Sequence, residues 1–469
     1  MALPKLIPLS YDWKTPQKEH ATSDFFKLIQ DNTIDWWRRN QRRDLPWRPY
    51  TADEAVSFKF CDPYKIWVSE VMSQQTQMGT VIKYFNQWMS KFPSIEVLAS
   101  STEDEVRCVW SGMGYYRRAN YLRKGAQYLV NEHVKNKAQG AVTLPKTSAE
   151  LLKVPGIGPY TAAAIASICF SETCMSVDGN VFRVLCRLRG EQQMDPKMPK
   201  NLKMAYLWGQ QLMRGEEKAV CKFPGELNQG LMELGASICR PNGPPLCSDC
   251  PLRQQCVAYS AYQHKELPAI EGVIPLHGTS SPKRIEEVLT VVHEFASPDH
   301  AASLFIMVQR PPNGLLGGMP EFPSLTLSSS TGGETQHFYK EVEALAFLSC
   351  EVKECPSESP SLRKAGKVIH IFSHIRMTIR VYHVKWIGKQ LNQIPNSIGD
   401  DDVIARLANG LDKAKGCSNS RASIFLLPMD KLASIGSSKL LLKVLHAACA
   451  AERCQEPQGN ELKKRRIKK

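Results

Sequence analysis

Residues 151–183 read LLKVPGIGPYTAAAIASICFSETCMSVDGNVFR. Gly156 and Gly158 interrupt two apolar helical runs, and glycine lets a backbone turn sharply and approach a ligand closely. The stretch therefore predicts a helix, a hairpin and a second helix, which begins near Tyr160 with free N–H groups that suit a phosphate. Asp178 follows in a short polar break between apolar segments. Its carboxylate is either the N-cap of a further helix or a functional group.

Length and composition limit the classes of protein that this chain can belong to. Its 469 residues are too many for one ordinary core, so two or three domains are expected. The hydrophobic fraction of 43% is typical of soluble globular proteins, and no apolar run is long enough for a transmembrane helix. The N-terminus has no long apolar core typical of a secretory signal. We therefore expect a protein without a membrane segment. The chain is also expected to be a monomer.

The charge and the cysteines point to a class of partner and to a metal. A net charge of +14 favours polyanionic partners such as nucleic acid, although composition does not separate DNA from RNA or from an acidic protein. Fifteen cysteines in a long chain without a secretory signal indicate reduced thiols or metal ligands rather than a disulfide scaffold.

Two segments that precede the hairpin carry candidate site residues. A helix is predicted from Ser23, and the segment 44–48 that follows it is expected to be extended because Pro46 disfavours helix at Leu45. Its Trp47 is either a core residue or a surface on which a base stacks.

Glu70 lies in a predicted helix that runs from Pro63 to Phe92, among the apolar residues between Trp67 and Met72. It is either a solvated residue at the helix edge or a carboxyl group in an apolar pocket. In a pocket its pKa would rise, and a raised pKa makes a general acid near neutral pH.

A short turn with two glycines and two tyrosines, residues 110–116, separates helices that are predicted at 94–110 and 117–133. A tyrosine on such a turn is either a wedge that enters a base stack or part of a packed corner. Further helical patterns continue to residue 239, so the first 240 residues are predicted to be all-helical.

Four cysteines follow the last of these helices with the spacing C-x7-C-x2-C-x5-C, in a loop rich in proline and glycine; they are Cys239, Cys247, Cys250 and Cys256. Four thiolates suit either tetrahedral zinc or a [4Fe–4S] cluster. The spacing alone does not choose between them.

The composition changes after this loop. We interpret residues 263–285 as a linker, and from there the pattern alternates as in strands. The predicted strands lie at 288–297, 302–310, 367–386 and 423–428, with helices at 338–350 and 436–451 and a surface loop at 325–334. This part is therefore predicted to be an α+β domain. The basic residues at the end of the chain are either a nuclear-import signal or a nonspecific nucleic-acid arm.

Together, the helix-hairpin-helix, the carboxylate of Asp178 beyond it and the four-cysteine loop resemble the helix-hairpin-helix superfamily of DNA glycosylases with an iron–sulfur cluster. Within it, residues 69–77 (SEVMSQQTQ) and 112–116 (GMGYY) are similar to the adenine-specific mismatch glycosylases of the MutY type, and we expect a eukaryotic homologue. The resemblance extends over nearly everything from Phe25 to Pro428.

The resemblance implies a multidomain chain with an all-α glycosylase domain and an α+β Nudix-like domain that recognises 8-oxoguanine. The expected boundaries are a flexible N-terminus at 1–22, the catalytic domain at 23–262 with the cluster loop at 239–256, the linker at 263–285, the Nudix-like domain at 286–452 and a basic tail at 453–469.

The activity that the resemblance implies is hydrolysis of the N-glycosidic bond of adenine opposite 8-oxoguanine or guanine, in base excision repair. Glu70 would protonate adenine at N7, and Asp178 would stabilise the cationic sugar or briefly bond to it, which is the two-carboxylate chemistry of glycoside cleavage. Asn180 and Tyr160 would orient these groups. Superfamily members that also cut the strand carry Lys at the position of Tyr160, so the resemblance implies a monofunctional enzyme without efficient AP-lyase activity.

The remaining expected site residues are also carried over from the resemblance. They are Leu45, Trp47, Arg48 and Gln229 in the adenine pocket; Gln75, Tyr115, Phe372, Ser373 and His374 around the lesion; Gly156 and Gly158 in the hairpin that holds a DNA phosphate; and Cys239, Cys247, Cys250 and Cys256 as ligands of one [4Fe–4S] cluster. The expected partner is double-stranded DNA with adenine opposite 8-oxoguanine or guanine. Repair and replication proteins are further candidates that the sequence does not identify.

The chain departs from the family pattern in three places. The first cysteine interval is seven residues where the family more often has six, and the linker has no cysteine for an additional zinc site. The second domain lacks the glutamate-rich R-E-x-x-E-E core that a hydrolytic Nudix domain needs.

Alternative functions are a thymine-mismatch glycosylase, a strand-cutting pyrimidine-lesion glycosylase and a DNA-binding scaffold without catalysis. Tyr160 argues against the second of these, and the pair Glu70 and Asp178 argues against the third. The basic tail favours residence in the nucleus, with the mitochondrion as the alternative.

Overall fold

The computed structural model describes residues 19–48, 61–137, 139–215, 220–276, 282–296, 303–311, 314–327, 361–387, 424–432 and 438–453. The chain divides into two compact units, one formed by Met1–Thr102 with Arg117–Ser280 and the other by Glu103–Tyr116 with Ser281–Lys469.

The described residues of the first unit form helices and turns, as the sequence predicts. In chain order the α-helices up to residue 263 are α1 (Glu19–Asn40), α2 (Pro63–Ser73), α3 (Met78–Lys91), α4 (Ile95–Ser100), α5 (Glu103–Trp110), α6 (Arg117–Lys135), α7 (Ser148–Leu151), α8 (Pro159–Phe170), α9 (Gly179–Arg189), α10 (Pro199–Arg214), α11 (Pro224–Ser237) and α12 (Val257–Gln263). Of these, α5 belongs to the second unit.

Helices α1, α9, α10 and α11 share one apolar core. Ile29, Leu185, Trp208 and Leu231, one from each helix, are buried in the same cluster of side chains. Burying side chains of this size stabilises the fold by about 1.5–3 kcal/mol each. The core therefore fixes α9 and α11 against each other, and both helices carry predicted site residues.

The predicted helix-hairpin-helix is present as α7, a turn and α8. Thr147 caps α7 by accepting a hydrogen bond from the Glu150 amide at 3.3 Å. Gly156 has a φ of +86°, and a Cβ at this position would lie 2.5 Å from Cβ of Tyr121, so only glycine fits there. Gly158 is the N-cap of α8, and the space around its Cα is open.

Two long helices that the sequence predicts are each broken in the structure. The predicted helix 63–92 is divided into α2 and α3 because Gln75 takes a left-handed conformation with a φ of +56°. The predicted helix 94–110 is divided into α4 and α5, where Ser101 is extended and its hydroxyl donates to the Leu98 carbonyl at 2.6 Å.

The second unit contains a mixed sheet, which agrees with the predicted α+β domain. Its strands are β1 (Arg284–Ala296), β2 (Leu304–Gln309), β3 (Pro320–Glu321), β4 (Ser324–Leu327), β5 (Ser361–Ile371), β6 (Ile375–Ile387) and β7 (Ile424–Pro428), followed by α13 (Lys439–Arg453). The strand order is β3-β2-β1-β6-β5, with β4 paired to β1 and β7 paired to β2. Strands β1 and β6 run parallel, and β5 and β6 form an antiparallel hairpin.

One face of this sheet carries the core of the second unit. Val288, Ile379 and Leu441, from β1, β6 and α13, are buried in the same cluster. Helix α13 therefore covers this face of the sheet.

Two predicted loop segments are partly ordered. Ile270 and Ile274, within the predicted linker 263–285, are buried in the core of the first unit, so the first part of this segment is packed. The predicted surface loop 325–334 begins inside β4. The predicted helix 338–350 and the basic tail 453–469 lie outside the described side chains.

None of the described helices is long and apolar enough to cross a membrane.

Candidate active site

Glu70 lies in the third turn of α2, where helix geometry and burial fix its position. Helix α2 begins at Pro63 and is capped by Asp62, whose Oδ1 accepts hydrogen bonds from the amides of Tyr64 at 2.9 Å and Lys65 at 3.4 Å. The Tyr160 hydroxyl, from the first turn of α8, donates to Oε2 of Glu70 at 2.7 Å. The hairpin thus brings a hydroxyl to the carboxyl group of α2.

Burial raises the pKa of the Glu70 carboxyl group, and the negative charge of Asp178 raises it further. The Tyr160 hydrogen bond and the positive charge of Arg48 oppose this shift. Burial likewise raises the pKa of the Tyr160 hydroxyl, to which the charge of Glu70 also contributes, so this hydroxyl stays a proton donor. Glu70 is half-buried and its carboxyl group is desolvated, which agrees better with the second of the two alternatives offered by the sequence than with a solvated helix edge.

Asp178 is the N-cap of α9, and its negative charge acts on the Glu70 carboxyl group. Its Oδ1 accepts from the Val181 amide at 2.7 Å, and its Oδ2 accepts from the Asn180 side chain at 3.0 Å. Burial raises the pKa of Asp178, while these hydrogen bonds favour the ionised form. Two donors hold the charge of Asp178, and one donor holds that of Glu70. The ionised form of Asp178 is therefore stabilised by more hydrogen bonds than that of Glu70.

Asn180 is held by Arg183, which the sequence analysis does not single out. Nη2 of Arg183 donates to Oδ1 of Asn180 at 2.8 Å and to the Gly235 carbonyl at 2.7 Å. Its Nε donates to the Cys239 carbonyl at 2.8 Å. One guanidinium therefore links the Asn180 side chain to α11 and to the first of the four cysteines. The only signal in the sequence that could have indicated Arg183 is its position one helical turn after Gly179.

Gly235 allows α11 to approach α9 at this point. A Cβ on Gly235 would lie 2.7 Å from Cβ and 2.9 Å from the carbonyl oxygen of Asn180. No side chain fits between the two helices here, and the position of Asn180 depends on that contact.

The residues that are predicted to form the adenine pocket also lie in the first unit. Leu45 and Trp47 are buried, and the ring of Trp47 meets that of Phe85 edge to face at 5.0 Å. Arg48 lies 3.7 Å from Glu233 and over the ring of Trp37 at 5.5 Å.

Gln229 and Glu233 lie on α11, one turn apart. Gln229 is buried and its amide donates to the Gly225 carbonyl at 3.2 Å. Burial lowers the pKa of Arg48, and the nearby charges of Glu233 and Glu70 oppose that shift. Glu233 is a further residue that the sequence analysis does not identify, because a single glutamate in a helix carries no pattern.

The four predicted metal ligands lie around one corner of the first unit, where all four pack against the same core. Arg187 donates to Sγ of Cys239 at 3.3 Å, and Sγ of Cys256 lies 3.4 Å from the Arg187 carbonyl. Burial raises the pKa of the Cys250 thiol to about 12, and the charges of Cys239 and Cys247 add to it. The described residues contain no group of three or more side chains in a metal-holding arrangement. The soft donor set and the adjacent guanidinium nevertheless fit a thiolate-bound group.

Gln75 and Tyr115, the predicted wedge residues, share an uncommon backbone conformation. Their φ values are +56° and +50°, in the left-handed region that non-glycine residues rarely adopt. Gln75 is exposed on the turn between α2 and α3, and Tyr115 is half exposed on the segment that belongs to the second unit. Each residue is therefore presented to solvent by a turn, as a contact with a ligand requires.

Phe372, Ser373 and His374 form the turn between β5 and β6. The Phe372 amide donates to the Ile375 carbonyl at 2.8 Å, and Oγ of Ser373 lies 3.1 Å from Nδ1 of His374. Both polar side chains are exposed, so the turn can meet a partner.

Two family models match this chain and define its class. The model described as HhH-GPD superfamily base excision DNA repair protein matches residues 68–208, a range that includes Glu70, Tyr160 and Asp178. A NUDIX domain model matches residues 299–446. The fold and the site thus define a base excision repair protein of the helix-hairpin-helix class with a second, Nudix-like domain.

The similar proteins narrow this class to one family. The adenine DNA glycosylase of Mus musculus is 38% identical over 414 residues, which cover 81% of this chain and 74% of the relative. That of Homo sapiens is 37% identical over 389 residues, covering 75% and 66%. A solved thermostable thymine-DNA glycosylase is 26% identical and covers 51% of this chain and 99% of its own, with a TM-score of 0.41. The chain belongs to the adenine DNA glycosylase family, which confirms the resemblance found in the sequence.

Proposed function

We propose that the protein removes adenine paired with 8-oxoguanine or guanine from double-stranded DNA and leaves an abasic site in an intact strand. The observation that carries this proposal is the desolvated Glu70 carboxyl group, which is hydrogen-bonded to Tyr160 at 2.7 Å and whose pKa is raised further by the charge of Asp178. Family membership supports adenine as the base.

The two carboxyl groups divide the reaction between them. Glu70, kept protonated by burial, donates its proton to adenine N7, so that the bond between C1′ and N9 breaks and neutral adenine leaves. The ionised Asp178 stabilises the positive charge that develops on the sugar. Water then adds to C1′, and its proton passes back to Glu70. The target adenine must leave the base stack to reach this site, which the apolar walls of Leu45 and Trp47 suit.

Single-turnover excision from a duplex with adenine opposite 8-oxoguanine tests this assignment. We expect Glu70→Gln and Asp178→Asn each to lower the rate constant by at least about a hundredfold, because each removes one side of the charge separation. The exposed Glu132→Gln on α6 is the matched control and should cleave as the unchanged protein does. Full activity of both site variants, or excision of thymine opposite guanine in place of adenine, would reject the proposal.

The absence of an amine at position 160 supports a monofunctional reaction. A strand-cutting glycosylase uses a lysine to form a Schiff base with the sugar, and Tyr160 supplies only a hydroxyl, which is committed to Glu70. Product analysis on the same duplex should show strand breaks after alkali treatment and only background breaks without it. Efficient breakage without alkali would contradict this part of the proposal.

The exposed turn at Ser373 and His374 supports recognition of 8-oxoguanine on the strand opposite the adenine. Two polar side chains on a closed hairpin can donate to and accept from a base edge. The double change Ser373→Ala and His374→Ala should reduce the preference for 8-oxoguanine over guanine more than it reduces excision itself. Equal losses on both duplexes would count against this role.

The cofactor that fits the cysteine corner best is one [4Fe–4S] cluster held by Cys239, Cys247, Cys250 and Cys256. When bound, it would cross-link the four thiolates into one rigid loop next to Arg187 and Arg183. Purified protein should be brown and contain iron and inorganic sulfide in equal amounts, and Cys250→Ser should lose both. Stoichiometric zinc without iron would favour the tetrahedral alternative.

The basic tail supports a proposal about location. Residues 461–469 contain six lysines and arginines in a run that suits nuclear import. A fluorescent reporter fused to the full chain should concentrate in the nucleus and spread through the cell when these residues are replaced by alanine. Accumulation in mitochondria would overturn this proposal.

A further inference from the structure

The second unit exposes three isoleucines at one end of its sheet. Ile285 on β1 is 73% exposed, Ile371 on β5 is 61% exposed and Ile369 on β5 is 46% exposed. Isolated surface isoleucines are ordinary, but a contiguous apolar patch on a soluble protein usually marks a place where something binds.

The strand register makes these residues neighbours. Ile371 is paired with Arg376 on β6, and Arg376 is paired with Ile285 on β1, so these three side chains form one row on one face of the sheet. Ile369 lies in the next row, where it is paired with Thr378. Directly paired residues have Cβ atoms about 4.5–5.5 Å apart, so the isoleucines surround the base of the Arg376 side chain.

Positive charge accompanies the isoleucines on the same face. Lys367, two residues before Ile369 on β5, is exposed, and so is Arg376. Glu287 lies in the same row as Ile369 and Thr378, and it is the only carboxylate in that row of the described strands. It is ion-paired with Arg380 at 2.8 Å. We call this set, Ile285, Ile369, Ile371, Lys367 and Arg376, the isoleucine face; its charge complements a polyanion.

The isoleucine face is continuous with the turn of residues 372–374. Ile371 immediately precedes this turn, and Nζ of Lys283 donates to the Phe372 carbonyl at 2.9 Å. The Arg284 amide donates to the His374 carbonyl at 3.0 Å. The start of β1 is thus bonded to the turn, so a ligand held by the turn would also lie beside these isoleucines.

From this arrangement we infer that the isoleucine face is a second DNA-contact surface, which packs against the duplex next to the 8-oxoguanine. Lys367 and Arg376 contact phosphates, while the isoleucines cover sugars and the apolar rims of bases in the groove. This inference rests on the proposed function, since the turn is the part that would meet the damaged base.

The test measures the affinity of the full-length protein for a labelled duplex that carries 2′-fluoro-2′-deoxyadenosine opposite 8-oxoguanine, which resists excision. Changing Ile285 and Ile371 together to Thr keeps β-branched side chains at both strand positions but removes apolar contact. We expect the dissociation constant to rise about tenfold with no change in its salt dependence. Arg376→Gln should also weaken binding and lower the salt slope by about one.

Leu442→Gln is the matched control, because Leu442 is 44% exposed but lies on α13, which packs against the opposite face of the sheet. It should bind as the unchanged protein does. The inference is overturned if the isoleucine variant binds as tightly as this control. It is also overturned if sedimentation shows that the isoleucines hold two copies of the chain together while DNA affinity is unaffected.

A parallel excision assay on the unchanged protein separates this inference from the proposed function. Absence of adenine excision would reject the proposed function, whereas normal excision with unaltered affinity of the isoleucine variant would reject the isoleucine face alone. Thermal unfolding of each variant should match that of the unchanged protein, since all four changed positions are exposed.

Discussion

Tyr160 determines two properties of the site at the scale of a single residue. Its hydroxyl donates to Glu70 and lowers the pKa of that carboxyl group, against the stronger effect of burial. The same position offers no amine to the sugar. In the proposed reaction the residue therefore tunes the acid and provides no amine for strand cutting.

The first prediction concerns the pH profile of excision. Glu70 must be protonated to donate, so the rate should fall as the pH rises through its raised pKa. Tyr160→Phe removes a hydrogen bond that lowers this pKa, so the falling limb of the profile should move to higher pH. Single-turnover rate constants measured across the pH range check this.

The matched control for this profile is Tyr262→Phe on the exposed side of α12, which should leave the profile in place. A falling limb that moves to lower pH in Tyr160→Phe would mean that the hydroxyl does not stabilise the ionised carboxylate. The same raised pKa predicts a stability effect of known sign: the contribution of Glu70 to folding is complete below the unfolded pKa and is lost as the pH rises through the folded one.

At the scale of single residues the sequence indicates the candidate carboxylates, but it does not indicate the residues that hold them in place. Glu70 and Asp178 are carboxylates in apolar surroundings, and this contrast is visible in the sequence. Arg183 and Glu233 act through partners that lie more than fifty residues away or on another helix, such as Cys239 and Arg48. Such pairs depend on how helices pack, which no local pattern encodes.

The hairpin between α7 and α8 is the element on which the site is built. Gly156 takes a left-handed conformation and lies against Tyr121 of α6, while Gly158 caps α8 in open space. Two glycines that look equivalent in the sequence thus have different structural requirements.

The second prediction separates these two glycines. Gly156→Ala should lower the free energy of unfolding by about 2–4 kcal/mol, because it adds backbone strain and a clash with the Tyr121 side chain. Gly158→Ala, with a φ of −93° and no atom within 4 Å of the added Cβ, should cost less than about 1 kcal/mol. Chemical denaturation of both variants measures this, and equal losses would show that the hairpin is not as tight as the structure has it.

For two helices the sequence predicts a greater length than the structure has. Hydrophobic periodicity does not show where tertiary contacts break a helix. Residues 74–77 are glutamines and a threonine without glycine or proline, so nothing in their propensity stops a helix. The break arises from the left-handed backbone of Gln75, which tertiary contacts impose: Arg118 of α6 donates to the Val71 and Met72 carbonyls at 2.9 and 3.0 Å. Those carbonyls would otherwise accept the bonds of a continuing helix.

For the molecule as a whole, positive charge is the property that most affects its encounter with DNA. The net charge is +14, and exposed Lys and Arg occur in both units. Neutralised phosphates release counterions, so affinity for a polyanion depends steeply on salt.

The third prediction follows from this charge. We expect the affinity for a duplex to fall by at least about a hundredfold between about 50 and 200 mM salt, with or without the lesion. The difference in affinity between lesion and undamaged duplex should change much less, because base contacts release few counterions. Fluorescence anisotropy at several salt concentrations checks both, and an affinity that is flat with salt would contradict electrostatic binding.

The sequence also predicts the order of the two folds along the chain, because the period changes from helical to alternating after the cysteine loop. It does not predict which of the two units a given segment packs into. Leu267 and Ile270 follow polar residues and read as linker, yet they are buried in the first unit. Helix α5 likewise joins the second unit although it stands among first-unit helices in the chain.

The contact between Gly235 and Asn180 limits how this enzyme can change over evolutionary time. Every residue other than glycine at position 235 would push α11 away from Asn180, and alanine already brings its Cβ to 2.7 Å from Cβ of that residue. A neutral drift experiment that randomises this codon should therefore recover the original amino acid almost alone. The surface residues of the same helix, by comparison, remain free to diversify.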